Sequence, residues 1–277
     1  MMPLAIAAML QLHVVQYTAT DSSTWYVNSV LIQGRTESIL VDAGFFKRDV
    51  AREIEQVAAT GTHLKAIFIT HPHEDHYFGI DAFLARFPGT PVYLTAAGLT
   101  SYVVSSPKVY ERFKKTVPDQ VPDRLITPQA LPGTTLTVDG QQVVIYPDEQ
   151  GDVRDPANSF VWVPSLRTVI AGDIVFNQVH PWLANSDTVV RGRWHRSLDR
   201  IASLHPTAVI AGHKRPDAPD DPAVLSAMHR YLEDFDATRK TAADADALIA
   251  TMKQRYPGYL ATDILGFAAK AAYAPPK

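Results

Sequence analysis

Apolar runs of strand length alternate with segments of helical spacing along the whole chain. Residues 10–18 and 25–33 are rich in β-branched and aromatic side chains, with turn formers between them at Asp21-Ser22-Ser23, and predict an antiparallel pair. A third strand, Ser38-Ile39-Leu40-Val41, runs onto Asp42-Ala43-Gly44. Residues 48–59 carry apolar positions at helical spacing and stop at Gly61. The run Ala66-Ile67-Phe68-Ile69 is the next strand. Strand, helix, strand in that order predicts parallel neighbours joined by a right-handed crossover.

A short helix is expected over 80–87, closed by Pro88-Gly89, and a strand over 91–94. Residues 95–116 predict one or two helices, broken near Pro107, serving as a wall or lid over the loop before them or as an amphipathic packing element. Strands resume at 134–138 and 142–146 around Asp139-Gly140, a dipeptide suited to a type I′ hairpin turn. Another pair, 159–163 and 167–171, flanks 164–166. A helix over 194–204 and a strand over 207–211 follow, then helices over 222–236, 242–255 and 261–272, the last two separated by Pro257-Gly258. Two strand-rich halves, each followed by helix, predict an α/β protein of αββα type: two mixed sheets face to face, helices outside, and a helical C-terminal extension.

Four of the apolar strands end alike. They deliver Asp42, the run Thr70-His71-Pro72-His73-Glu74-Asp75-His76, Asp173 and His213 to a strand's carboxyl end, where α/β folds bind ligands. The His/Asp run holds four potential metal ligands within six residues, in a chain with ten His in all. Neutral imidazole and a hard carboxylate oxygen together suit Zn²⁺ or a similar divalent ion.

Composition narrows the chemistry further. At 277 residues, 46% hydrophobic and 20% charged, the chain suits one large globular domain, or one domain with an appendage. A net charge of −3 gives no electrostatic case for nucleic acid or an anionic membrane. With no cysteine, thiolate ligands, disulfides and a Cys nucleophile are excluded, so any metal is held by His, Asp and Glu. No uncharged apolar run reaches the ~18 residues of a membrane span. The apolar residues 1–10 lack a basic start and read equally as the remnant of a trimmed secretory signal or as a lead-in to the first strand; the compartment stays open.

The run from His71 to His76, with Ala171-Gly172-Asp173 and Ala211-Gly212-His213, resembles the metallo-β-lactamase superfamily over about residues 10–216, leaving 217–277 as a helical extension packed on that domain. The resemblance implies a dinuclear site. His71 and His73 would bind the first metal, Asp75, His76 and His213 the second, and Asp173 would bridge them. Two divalent ions are implied, zinc first. Together they would lower the pKa of water, supply a bridging hydroxide and polarise a carbonyl or phosphoryl oxygen. Asp75 would also orient that hydroxide and take part in proton transfer. Asp42 resembles the acid that fixes a ligand's orientation.

One element departs from the superfamily's pattern, which carries a further His in a Gly-His turn before the strand matching 159–163. Here that region has no His, and the turn falls on Gly151-Asp152, so Asp152 is the expected replacement, with Asp155 and Glu149 behind it. An added carboxylate favours harder ions such as Mn²⁺ or Fe²⁺. Beyond the ligands, His180 and Trp182 sit on a loop that can overhang the pocket, and Tyr77 adjoins the ligand run as a proton donor or a packing residue. Lys214 and Arg215, directly after His213, read as anchors for a substrate carboxylate or, preferably, as solvated residues, and His13, His63, His195, His205 and His229 as structural.

The expected activity is metal-dependent hydrolysis of a small ester, lactone or amide of β-lactam type. The alternatives are an iron-dependent oxidoreductase of the same fold and a metal-binding protein that has lost catalysis. No nucleic-acid or membrane partner is expected. The helical tail either caps the pocket or forms a homodimer interface.

Overall fold

The computed structural model describes residues 11–274; the apolar stretch 1–10 lies outside the described residues. The first half is β1 (His13–Thr18), β2 (Asn28–Gln33), β3 (Glu37–Val41), α1 (Lys47–Ala59), β4 (His63–Phe68), α2 (Glu74–Tyr77), α3 (Ile80–Arg86), β5 (Val92–Leu94), α4 (Ala96–Thr116) and β6 (Gln129–Ala130). The second half is β7 (Thr135–Val138), β8 (Gln141–Glu149), β9 (Asn158–Val163), β10 (Thr168–Ile170), β11 (Phe176–Asn177), α5 (Thr188–Ser203), β12 (Ala208–Ile210) and β13 (His213–Lys214). Helices α6 (Ala223–Thr241), α7 (Ala245–Arg255) and α8 (Thr262–Tyr273) close the chain.

One sheet has the order β1-β2-β3-β4-β5-β6 and the other β12-β10-β9-β8-β7, with a small β11-β13 pair beside them. Both larger sheets are mixed: β1 and β2 pair antiparallel and β3 with β4 parallel, while β9 and β10 pair antiparallel and β10 with β12 parallel.

The period-2 alternation of strand side chains sorts the core into layers. Val30, Ile32, Ile39, Val41, Ala66 and Phe68 point into the space between the sheets, against Val143, Ile145, Val161, Val163, Ile170 and Ile210. Leu31, Leu40, Leu64 and Ile67 point the other way and meet Val50, Ile54 and Val57 of α1. These strands are therefore apolar on both faces, which is why they read as continuous runs. On the far side, Phe160 and Val169 pack with Trp194, Leu198 and Ile201 of α5 and with Leu232, Phe235, Leu248 and Leu265 of the last three helices. The C-terminal helices thus share a core with the second sheet.

Two departures from expectation have a local cause. Helix α4 runs unbroken through Pro107. Proline removes the bond to the carbonyl four residues back, at Val103, and that turn is exposed, Val103 at 56% and Val104 at 72%, so water can take the carbonyl. Helix α5 begins at Thr188, six residues before the expected 194, because the Asp187 carboxylate accepts from the Val190 N–H at 2.9 Å and caps a first turn whose apolar period is weak. Asp139 and Gly140 adopt φ of 46° and 79°, as their hairpin turn requires.

Candidate metal centre

The expected ligands arrive from separate strand ends and converge. His71, His73, Asp152 and Asp173 form one group whose ligand atoms lie within 4.8 Å of one another; Asp75, His76 and His213 form another. Asp173 reaches both groups. Its Oδ2 is 3.7 Å from His71 Nε2 and 3.2 Å from His213 Nε2, and its Oδ1 is 3.2 Å from His76 Nε2. Asp75 Oδ2 lies 3.2 Å from His213 Nε2. Asp152 occupies the place deduced from spacing, 2.6 Å from His73 Nδ1 and 3.6 Å from His71 Nε2. The two carboxylates ranked behind it are elsewhere: Glu149 is tied to Arg200 at 3.2 Å, and Asp155 lies on the pocket wall.

The chain orients three of the imidazoles from behind. Asp42, at φ 62° just past β3, accepts from the Thr70 N–H at 2.8 Å, from the Thr70 hydroxyl at 2.9 Å, and from His76 Nδ1 at 2.9 Å. With its own proton on Asp42, Thr70 Oγ1 is left to accept from His71 Nδ1 at 3.0 Å. His213 Nδ1 donates to the Trp25 carbonyl at 2.8 Å. Holding each Nδ1–H in this way turns Nε2 toward the centre, so that losing the Nε2 proton gives the tautomer a metal ligand needs. Asp152 is set by Asn158, whose amide donates to Asp152 Oδ1 at 3.1 Å while its Oδ1 accepts from the Gly151 N–H at 2.9 Å.

Two glycines permit the convergence. A Cβ at Gly151 would lie 2.7 Å from the Asp173 carbonyl, and one at Gly212 would lie 2.6 Å from the Gly172 carbonyl carbon and collide with Asp173 Oδ1. The Ala-Gly-Asp and Ala-Gly-His strand ends can only touch, Gly212 N–H to Gly172 carbonyl at 3.0 Å, because no side chain stands between them.

The electrostatics call for positive charge in this space. Burial pushes Asp75 up, but His76 and His213 outweigh it and hold the carboxyl at about 2. Burial pulls His213 down, and Asp173 with Asp75 overcomes it to raise the imidazole to about 10. His73 likewise loses to burial and gains from Asp152, ending at about 9. Protons here occupy positions that a cation can take, so metal uptake releases them. His71 Nε2, His76 Nε2 and Asp173 Oδ1 are buried yet make no hydrogen bond, although they lie close together. Buried polar atoms are ordinarily satisfied; a set of imidazole and carboxylate donors left in this way fits divalent metal ions.

The remaining expectations are sorted by burial. His180 was expected on the pocket; it is instead fully buried, its Nδ1 2.7 Å from the Tyr231 hydroxyl and its ring against Tyr259. Burial lowers it to about 4, and it is a neutral core residue away from the pocket lining. Tyr77 is 2% exposed and packs edge-on against Tyr102, with burial holding its hydroxyl far above the usual tyrosine range; a packing residue, not a proton donor, is what that position supports. Lys214 is buried rather than solvated, 2.5 Å from Asp220, whereas Arg215 pairs with Asp217 nearer the surface.

The centre opens into a cavity of about 680 Å³. His73, Asp75, Asp152, Asp173 and His213 form part of its lining, and Phe113 of α4, Trp25, Trp182 and Phe267 of α8 form other parts. The segment 95–116 is therefore a wall of the site, and the C-terminal extension contributes another. The loops around 20–25, 95–120 and 177–190 and the C-terminal helices are the segments expected to set specificity; that Trp25 and Phe267 are the side chains among them that line the cavity was not legible, since an aromatic side chain carries no sign of which distant segment it meets.

Comparison with known proteins places this geometry among relatives. The family model described as the metallo-beta-lactamase superfamily matches residues 23–213. A hydroxyacylglutathione hydrolase from Tolumonas auensis is 35% identical over 85 residues, a match spanning 31% of this chain and only 29% of that protein. A metallo-beta-lactamase family protein from Thermus thermophilus superposes with a TM-score of 0.66 at 20% identity, covering 94% of this chain and 91% of its own. A metallo-beta-lactamase from Pontibacter korlensis does so with a TM-score of 0.60 at 19% identity, covering 80% and 99%. Among the described residues, no helix is long and apolar enough to cross a membrane.

Proposed function

The chain belongs to the metallo-beta-lactamase superfamily, and on that premise we propose that it is a metal-dependent hydrolase that cleaves the acyl–oxygen or acyl–nitrogen bond of an ester, lactone or amide by attack of water on the carbonyl carbon. The observation that carries this reading is the position of Asp173, within 3.7 Å of imidazoles from both donor groups at the floor of an open cavity. One carboxylate between two sets of donors suits two ions held side by side. The ions, once bound, lower the pKa of water and polarise the carbonyl oxygen.

The chain's own residues do the rest. His71, His73 and Asp152 would hold one ion, Asp75, His76 and His213 the other, and Asp173 would serve both. Asp75, buried but lining the cavity, stays ionised and fixes the direction of attack; the leaving oxygen or nitrogen departs with the proton that water gives up. Each group offers two imidazoles and one carboxylate beside the shared Asp173, a set that suits zinc, and its carboxylate oxygens also admit Mn²⁺ or Fe²⁺. The relative from Tolumonas auensis is named for a glutathione thioester, which makes a thioester carbonyl a further substrate class to assay.

The test is a panel of esters, lactones, thioesters, β-lactams and phosphodiesters, run on protein loaded with Zn²⁺ or with Mn²⁺. Metal-dependent turnover of a carbonyl substrate is expected. Turnover of phosphodiesters alone, or iron as the purified metal with oxygen consumption, would overturn the reading.

A further inference from the structure

The cavity beside the metal centre is asymmetric in a way that hydrolysis alone does not require. Its apolar lining includes Phe113 and Val109 of α4, Trp25, Trp182, and Ile264 and Phe267 of α8. Helix α8 lies outside the span 23–213 matched by the family model. The chain nonetheless fastens it at the mouth. Trp25 Nε1 donates to Asp263 at 2.8 Å, Val179 forms a β-bridge with Leu260, and the Trp182 and Phe267 rings meet at 5.7 Å. Phe267 is still 49% exposed and lines the cavity.

The charges of this wall point the same way. Two cations line the cavity, and each has an acidic partner: Arg112 is 3.0 Å from Glu74, and Arg154 is 3.9 Å from Asp187. Asp155 adds a carboxylate that forms no ion pair among the described residues. Among the described residues the cavity therefore has no spare cation for an anionic substrate outside the donor groups. Its size, about 680 Å³, is within the roughly 300–1,000 Å³ of small-molecule sites.

We propose that the α4–α8 wall is an acyl-recognition site, selecting uncharged esters or lactones whose acyl part is a medium-length alkyl or aryl group, with Phe267 as its specificity-determining residue. This rests on the hydrolase reading for the reaction, but the recognition itself is a property of the wall. An alkyl chain laid between Phe113 and Phe267 leaves water along its length, while a carboxylate at its end meets Asp155 and Arg groups already paired.

The test uses the full chain loaded with Zn²⁺ and p-nitrophenyl esters of two, four, six and eight acyl carbons, beside an eight-carbon ester ending in a carboxylate. Wild-type kcat/KM should rise about fourfold for each added methylene, as removal of one methylene from water dictates. The carboxylate-ended ester should fall at least tenfold below its neutral counterpart. In Phe267→Asp the ratio of eight-carbon to two-carbon kcat/KM should collapse at least tenfold, with metal content retained.

A second arm needs no turnover. Octanamide should quench tryptophan fluorescence saturably in the wild type and at least tenfold more weakly in Phe267→Asp. A flat chain-length series, preference for the carboxylate-ended ester, or a Phe267→Asp variant that keeps the wild-type ratio would overturn the proposal. Should no ester turn over, the hydrolase reading is left to the lactone, thioester and amide substrates, and the fluorescence arm alone decides the wall: saturable, Phe267-dependent quenching upholds it and its absence overturns it.

Discussion

Asp42 touches none of the cavity, yet replacing it with Asn should weaken metal binding measurably. Its carboxylate accepts three hydrogen bonds, from the Thr70 N–H at 2.8 Å, the Thr70 hydroxyl at 2.9 Å and His76 Nδ1 at 2.9 Å. Asparagine matches its shape and can keep the Thr70 backbone bond through its remaining oxygen. Its NH₂ group, however, faces His76 Nδ1, and two donors cannot share that contact. The relief is for His76 to move its proton to Nε2, the atom now 3.2 Å from Asp173 Oδ1. A metal would then have to displace that proton and leave Nδ1 accepting from an amide. Loss of such an outer partner typically costs 10–100-fold in affinity, or ~1.4 to ~2.8 kcal/mol. Competition with a chromophoric chelator at neutral pH reads the loss directly, and nitrogen-15 spectra of the histidines report the tautomer. Wild-type affinity with a wild-type His76 tautomer would refute the argument that Asp42 sets the ligand's protonation.

Two further substitutions test the packing around the centre. Glu53 of α1 is buried beside Gly44, and burial pushes its carboxyl up to about 8. Between its unfolded value of about 4.5 and about 8 the folded state keeps a proton the unfolded state has lost, so stability falls as pH rises through that window. Relative to wild type, Glu53→Gln should therefore gain ~4 kcal/mol on going from pH 5 to pH 8, at ~1.4 kcal/mol per unit, read by urea unfolding; parallel pH profiles would contradict it. Gly212→Ala places a methyl against Asp173 and the Gly172 backbone, and should lose ~1–3 kcal/mol of stability together with metal affinity. An unchanged melting temperature would show that the two strand ends can separate without loss.

The layers of the fold were legible because their cause is local. Val30, Leu31 and Ile32 are apolar on both faces, since one face meets the other sheet and one meets helices, and Asp139-Gly140 has the chemistry of its turn. The donor set was legible for a related reason: His71, His73, Asp75 and His76 are neighbours in sequence, and Asp173 and His213 follow the same kind of apolar strand. Asp152 could be placed only through the resemblance, by counting back from the strand at 159–163 to the turn where that pattern carries a Gly-His. What stayed hidden depends on distant partners. His180 is a core residue because Tyr231 and Tyr259 reach it from the C-terminal region, and Trp25 borders the cavity because Asp263, 238 residues away, holds it there. Pro107 was misleading for the opposite reason, since an exposed turn forgives a lost hydrogen bond that a buried one would not.

The central claim is that two donor groups joined by Asp173 hold two divalent ions, with Asp152 in the place where relatives of this pattern carry an imidazole. Elemental analysis by mass spectrometry of the purified chain, beside Asp152→Ala and Asp173→Ala, addresses it most directly. The expected result is two metal ions per chain in the wild type, about one in Asp152→Ala, and little in Asp173→Ala. Fewer than one ion in the wild type, or wild-type content in Asp173→Ala, would contradict it.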